Sequence, residues 1–216
     1  SSASCMDKIT TNIMLSAVGN KKATSTSICN YEIEKNEDTS IDYLKKELGN
    51  YTMFVKPSNA GSSVGVSKVE NREALIKAIE TAAKEDFRIL IEECIVGQEV
   101  ECAVVGNYQP IASIIGEIAP SNEFYDYEAK YVSDSGLYIP AHIKEETSEE
   151  IRKTAVTAYK IMGCTGLSRV DFFVKEGTNE VLLNEINTFP GFTAISMYPK
   201  LMEKIGTDES TVLSRS

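Results

Sequence analysis

Positive charge is scarce in this chain. Its 22 Lys and Arg stand against 32 Asp and Glu, a net charge of −10. Gripping a phosphate backbone or an anionic bilayer takes an excess of Lys and Arg, so neither nucleic acid nor membrane is an expected partner. No apolar run approaches the roughly 20 residues that a spanning helix requires. No basic start followed by an apolar stretch marks a signal peptide. Histidine occurs once, at His142 in IPAHIKEE. By count that suffices for a Ser-His-Asp or Cys-His site, but no nucleophile motif accompanies it, and a surface or packed position is the better reading. The five cysteines (Cys5, Cys29, Cys94, Cys102, Cys164) are scattered, odd in number and without a C-x-x-C pair. Cys94, Cys102 and Cys164 lie in apolar runs and are expected as buried thiols. A reducing cytoplasm suits them.

What the chain does have is ordinary globular composition. At 216 residues, 42% hydrophobic and 25% charged, it can bury a sizeable core as one domain or two small ones. Residues 7–19 predict a helix ending at Gly19, whereas 20–39 are polar and without pattern. Ser40 to Leu48 predicts a short helix closed by Gly49. The runs YTMFVK (51–56) and VGVSKV (64–69) read as strands joined by the small-residue loop PSNAGSS. Asn71 caps a helix with Leu75, Ala78, Ile79, Ala82 and Ala83 at helical spacing. Strands follow at 88–94, 99–106 and 110–118, then a loop dense in tyrosine and charge. Thr147-Ser148-Glu149-Glu150 is a capping-box pattern opening a helix that Gly163 stops. SRVDFFVKE and EVLLNEIN flank GTN, a hairpin signal. Antiparallel meanders with a few helices between them predict two α+β units that divide near residue 90.

The last hairpin carries the first candidate site. Side chains two apart on a strand share a face, so Glu185 and Asn187 point one way, and so do Arg169 and Asp171. If the strands pair, Asp171, Glu185 and Asn187 converge as an oxygen cluster without His or Cys. Such hard ligands suit Mg2+ or Mn2+, held through a few protein oxygens plus substrate phosphates. Arg169 would supply positive charge for a developing oxyanion or phosphoryl group. The plainer alternative is an edge hairpin whose polar groups face water.

The second candidate is FVKPSNAGSSVGVSKV. Lys56 ends an apolar strand, and the loop after it is rich in glycine and serine. Small residues let backbone N–H groups approach phosphate oxygens, and Lys56 would reach the same oxygens as a point charge. The G-x-x-x-x-G-K-[ST] order of a P-loop is absent. A flexible hairpin loop is the alternative. Between the two candidates, Glu92, Cys94 and Ile95 form a linker where a ligand pocket is usual. Glu99 stands where a carboxylate could accept hydrogen bonds from ribose hydroxyls, or simply at a solvated strand edge.

Six pieces in order (SSASCMDK, FVKPSNAGSSVGVSKV, IEECIVGQEVECAVVG, FYDYEAKY, GLSRVDFF and NEINTFPGFTAISMYP) resemble the ATP-grasp enzymes. Within them they resemble the D-alanine–D-alanine ligases. The resemblance runs from about Ser1 to Gly206. It implies an ATP-grasp fold of class α+β: two subdomains with antiparallel sheets enclosing a nucleotide site, residues 1–90 as the small subdomain and 91–216 as the C-terminal one, with a mobile loop at 120–138. It implies ATP and two Mg2+ or Mn2+ ions, with D-alanine as substrate, in the cytoplasm of a bacterium. ATP phosphorylates one D-alanine, and the amine of the second attacks the acyl phosphate in peptidoglycan precursor synthesis.

Carried over to this sequence, Lys8 and Lys56 resemble the phosphate-binding lysines, and Ser62 and Ser63 sit in the covering loop. Glu92, Cys94 and Ile95 match the adenine linker and Glu99 the ribose carboxylate. Asp171, Glu185 and Asn187 match the metal ligands, while Arg169 and the backbone at Gly191 match the oxyanion pair. Ser196 and Met197 match the seat of the second D-alanine. Lys130 would reach the phosphates, and Tyr131 would bond towards the serine loop. The chain starts where the family's N-terminal domain ends, segments 9–39 and 207–216 follow the family loosely, and Cys94 stands where a bulkier residue is common. The chain is therefore expected to bind ATP·Mg2+ weakly, to make no dipeptide alone and to be monomeric, the parent enzyme being a homodimer. A D-alanine–D-serine or D-alanine–D-lactate ligase and a non-catalytic ATP-binding domain are the alternatives; Met197 and Tyr131 favour D-alanine.

Overall fold

The computed structural model describes residues 1–49, 51–119, 136–193 and 195–206. The chain divides into two compact units: Met6–Thr10 with Ala23–Ile95, and Ser1–Cys5 with Thr11–Lys22 and Val96–Ser216. The helices α1 (Ser2–Met6) and α2 (Lys8–Ala17) open the chain.

The unit holding Ala23–Ile95 contains a four-stranded antiparallel sheet. Its strands are β1 (Ser25–Cys29), β2 (Met53–Pro57), β3 (Ser67–Val69) and β4 (Arg88–Glu93), in the order β1-β4-β2-β3. The helices α3 (Asn30–Lys35), α4 (Glu37–Leu48) and α5 (Arg72–Ala82) accompany it. In α5 the Asn71 side chain accepts from the Ala74 N–H at 2.8 Å, satisfying one of the donors that a helix start leaves open. Leu75, Ala78, Ile79 and Ala82 then recur at helical spacing and pack with Met53, Val55, Ile89 and Ile91. Each large side chain buried there contributes about 2 kcal/mol.

Two expectations fail in this unit. Residues 20–39 are not without structure: they form β1 and α3. β1 is an edge strand, STSIC, with only Ile28 buried, so too little apolar periodicity betrays it. α4 starts at Glu37 rather than Ser40, because Asn36 caps it by accepting from the Thr39 N–H at 3.2 Å.

The other unit contains β5 (Gly97–Val105), β6 (Ile111–Ile118), β7 (Leu137–Tyr138), β8 (Leu167–Lys175) and β9 (Val181–Asn187), in the antiparallel order β7-β6-β5-β8-β9. Helix α6 (Glu145–Ile161) belongs to one face, with Val100, Cys102, Ile115, Val170, Phe172 and Ile186 in its core cluster. Helix α7 (Met197–Lys204) packs with Ala103 and Val105, whose side chains alternate with those of that cluster. The expected capping box at Thr147 is not a helix start. α6 begins two residues earlier, after Lys144, and Thr147 is buried inside it. Cys94 is half-buried rather than buried, because it lies at the end of β4 and not within the apolar ladder. Leu137–Tyr138, expected in the loop, pair with β6. Among the described residues no helix is long and apolar enough to cross a membrane.

β9 carries a bulge. Phe172 faces Leu183 and Asp171 faces Glu185, leaving Asn184 as an extra residue. Val181 and Leu183 belong to the core cluster, and so does Ile186, which strict alternation would place on the opposite face. The Leu183 N–H donates to the Lys21 carbonyl at 2.9 Å and Lys22 Nζ donates to the Asn184 carbonyl at 3.0 Å, so the segment before β1 fastens the bulge.

Candidate functional site

The unit holding Ala23–Ile95 contributes a lysine pair and a small-residue loop. Met53 and Val55 of β2 point into the core, so Phe54 and Lys56 occupy the other face. Glu92 lies directly opposite Phe54 on β4, and its Oε2 accepts from Lys56 Nζ at 2.6 Å. The Lys56 and Glu92 side chains are 17% and 9% exposed, so the pair is largely desolvated. Lys8 Nζ donates to the Ala60 carbonyl at 2.6 Å, at the start of the loop.

The base of that loop is anchored by Asp7. Its carboxylate accepts from Ser58 Oγ at 2.6 Å, from the Thr10 N–H at 3.1 Å and from Arg88 Nη2. Burial alone would push the Asp7 carboxyl up, but these hydrogen bonds hold it well below the usual carboxylate range. The loop tip is exposed, and Ser62 and Ser63 have φ of 52° and 60°. Two consecutive non-glycine residues with positive φ carry strain of about 1 kcal/mol each. Cys94 and Ile95 follow β4 half-buried, with the Cys94 N–H on the Thr52 carbonyl at 3.2 Å.

The other unit builds its candidate from one sheet face. Glu101 on β5 stands opposite Asp171 on β8, which stands opposite Glu185 on β9, giving a row of three carboxylates across three strands. In the next row Arg169 lies opposite Asn187. Glu99 and Glu101, two apart, share the face. Like charges placed directly opposite destabilise a sheet, and Arg169 answers them. Its Nε donates to Asp171 Oδ1 and its Nη2 to Asp171 Oδ2, both at 2.7 Å, while Nε also lies 3.2 Å from Glu101 Oε1.

Asp171 and Glu101 are buried, at 2% and 4% exposure. Burial, and after it the Asp171 charge, pushes the Glu101 carboxyl well above its ordinary range. Burial opposes the charge on Arg169, but Asp171 and then Glu101 hold its guanidinium protonated even more firmly than usual. Glu101 Oε2 is buried and has no hydrogen-bond partner among the described residues. Sequence reading missed Glu101 as a site residue; the E-x-E spacing in EVECAV, inside an apolar strand, is the signal that would have found it.

Beyond β9, Asn187 Oδ1 accepts from the Phe189 N–H at 3.1 Å. Gly191 follows Pro190, and a Cβ there would come within 2.8 Å of Ser196 Oγ. Ser196 Oγ also accepts from the Thr193 N–H at 3.1 Å and lies 2.8 Å from Thr193 Oγ1. Met197 opens α7, buried, and packs so closely over Gly116 of β6 that a Cβ there would be 2.5 Å from its Sδ. Lys130 and Tyr131 lie outside the described residues, as does most of the expected loop 120–138.

The donor set on this face is oxygen only. Among the described residues no three His, Cys, Asp or Glu side chains gather closely enough to hold a metal ion by themselves. Asp171 and Glu185 are two carboxylates in register, with the Asn187 amide on the same face. That set fits Mg2+, which is commonly held by one or two carboxylates and completed by water and phosphate.

The family model described as the D-ala D-ala ligase C-terminus matches residues 14–215. The chain belongs to that family. It is 58% identical over 168 residues to the D-alanine–D-alanine ligase of Ruminiclostridium cellulolyticum, covering 76% of this chain and 45% of that protein. With the ligase of Acetivibrio thermocellus it shares 51% identity over 206 residues, 95% of this chain and 54% of the relative. The crystal structure of VanG D-Ala:D-Ser ligase from Enterococcus faecalis matches with a TM-score of 0.86 at 40% identity, over 99% of this chain and 61% of that one. The D-alanine–D-alanine ligase structure from Coxiella burnetii matches with a TM-score of 0.81 at 33% identity, over 99% and 56%. The two antiparallel sheets are thus those of the ATP-grasp ligases. The chain spans between 45% and 61% of the length of these four relatives.

Proposed function

We propose that this chain is the nucleotide-binding, catalytic part of a bacterial cytoplasmic ligase that joins two D-alanines, with ATP as phosphoryl donor, for peptidoglycan precursor synthesis. The observation that carries the reading is the sheet face on which Glu101, Asp171 and Glu185 stand in one row and Arg169 and Asn187 in the next, in a chain of this family. Phosphoryl transfer needs positioning and charge neutralisation more than a reactive side chain, and this chain has charge in place and no nucleophile motif.

In this reading Lys8 and Lys56 meet the ATP phosphates, with Ser62 and Ser63 over them and Lys130 joining from the segment 120–135. Glu92, Cys94 and Ile95 receive the adenine and Glu99 the ribose. Asp171, Glu185 and Asn187 hold two Mg2+ or Mn2+ ions, which when bound would neutralise charge on the transferring phosphoryl group. The carboxylate of the first D-alanine takes the γ-phosphoryl group. The amine of the second then attacks the acyl carbon, and phosphate leaves. Arg169 and the Gly191 N–H face the negative oxygen that develops at that carbon. Ser196 and Met197 seat the second D-alanine, and Tyr131 bonds towards Ser62, excluding water from an acyl phosphate that water would destroy.

A D-alanine–D-serine ligase is the second reading, favoured by the 40% identity with VanG, a D-Ala:D-Ser ligase. The apolar Met197, buried against Gly116, favours D-alanine over D-serine or D-lactate. A non-catalytic ATP-binding domain is the reading from another class. The chain alone, as a monomer, is expected to bind ATP·Mg2+ weakly and to form no dipeptide; the complete ligase is expected to be a homodimer. Calorimetry with ATP·Mg2+ and an assay for phosphate and dipeptide with D-alanine test this. Absence of nucleotide binding overturns the reading, and robust dipeptide synthesis overturns the expected inactivity of the chain by itself. In a ligase completed with the relatives' remaining portion, D-alanine should outcompete D-serine and D-lactate.

A further inference from the structure

Arg169 has one Nε–H and two acceptors within reach of it: Asp171 Oδ1 at 2.7 Å and Glu101 Oε1 at 3.2 Å. A hydrogen atom can serve only one of them well. In this chain it serves Asp171, whose second oxygen takes Nη2, so the whole carboxylate is turned to the guanidinium. Glu101 is held in the next strand at 4% exposure, in register with Asp171. No substrate role falls to it in the proposed function, and its Oε2 has no partner among the described residues. A buried carboxyl so placed calls for a reason.

We infer that Glu101 is a positioning residue: it accepts the Arg169 Nε–H when Asp171 turns to a divalent cation, and so keeps the guanidinium in place while freeing the carboxylate. The inference rests on the proposed metal-binding role of Asp171. Without Glu101, Arg169 is left with Asp171 as its acceptor among the described residues, and the cation must compete with the guanidinium for the same two oxygens. The effect on the cation is exerted through Arg169 and not by contact.

The test is Mn2+ binding in the presence of ADP, followed by the electron paramagnetic resonance of free Mn2+ on the 216-residue chain. Glu101→Met, similar in bulk but without an acceptor, should weaken Mn2+ binding about tenfold, the usual size of a loss in the shell behind a metal ligand. Glu101→Gln keeps an acceptor and should remain within about twofold of wild type. In an Arg169→Met background the Glu101→Met effect should vanish, because the competing guanidinium is gone. An equal loss in both backgrounds, or wild-type affinity in Glu101→Met, overturns the inference while leaving the functional reading intact. A wild-type chain that holds no Mn2+ with ADP overturns both. If Glu101→Met does not fold, the Arg169 Nε–H resonance of the wild-type chain, assigned with Arg169→Lys, decides: it should stay protected when Mg2+·ADP is added, and its loss to exchange overturns the inference.

Discussion

Replacing Gly97 by alanine puts the register of the candidate site to the test. Gly97 opens β5 opposite Lys175 of β8. A Cβ on it would lie 2.2 Å from the Val174 carbonyl oxygen, 2.9 Å from its carbon and 3.0 Å from Lys175 Cα. All three are backbone atoms, so no side chain can swing aside. Carbon atoms of this kind keep at least 3.0 Å from their neighbours, so the two strands must part by about 0.8 Å. Parting would weaken about two ladder hydrogen bonds, each worth ~1 kcal/mol net, and strain the packing beneath by ~1 kcal/mol or more. Against this, alanine stiffens the unfolded chain and returns ~0.5 kcal/mol. The net loss is about 2–3 kcal/mol, or a fall in Tm of roughly 4–12 °C for a chain of this size. Thermal melting followed by circular dichroism reads it directly. Gly61→Ala is the control: nothing lies within 4 Å of a Cβ there, and its Tm should stay within ~2 °C of wild type. If Gly97→Ala also melts within ~2 °C of wild type, the close approach of β5 and β8 is not what holds Glu101 opposite Asp171.

Lys56→Met should lower both nucleotide affinity in calorimetry and stability in urea, the latter by ~3 kcal/mol, because it removes the cation that faces the largely desolvated Glu92 carboxylate; a Lys56→Met/Glu92→Gln double variant should recover much of the stability but not the affinity. Asp7 is held well below the usual carboxylate range in the folded chain, so its contribution is fully present above its unfolded pKa of ~3.9 and is lost as pH falls through the lower folded value. Asp7→Asn should cost ~2 kcal/mol at neutral pH and make unfolding less pH-dependent under acid, as urea midpoints against pH would show. Lys22→Met removes a bond to the bulge carbonyl of Asn184 and should cost ~1 kcal/mol while speeding amide exchange around Glu185.

The helix at Asn71, the hairpin of β8 and β9, and the alternation that puts Arg169 with Asp171 were legible, because apolar periodicity and turn residues act locally. β1 was not, since an edge strand with one buried residue leaves almost no periodic trace. Thr147 misled because a capping box needs its serine or threonine at the boundary, and here tertiary packing buries that side chain inside α6. That Glu101 stands opposite Asp171, and that Lys56 meets Glu92, were beyond reach for another reason. Which residue stands across a sheet depends on register between strands dozens of positions apart, and no local pattern reports it.

Around its single extra residue, the short strand β9 serves two masters. Its first half, through Val181 and Leu183, is phased to the oily side; past Asn184 the phase flips, so Ile186 takes over that duty while Glu185 and Asn187 emerge beside Asp171. Excising Asn184 would leave Val181, Leu183 and Ile186 in plain alternation on the oily side and Glu185 with Asn187 on the other, so the acidic row should survive and only the carbonyl gripped by Lys22 would be lost. For this chain a one-residue gap is better absorbed at that point than a substitution within the row itself.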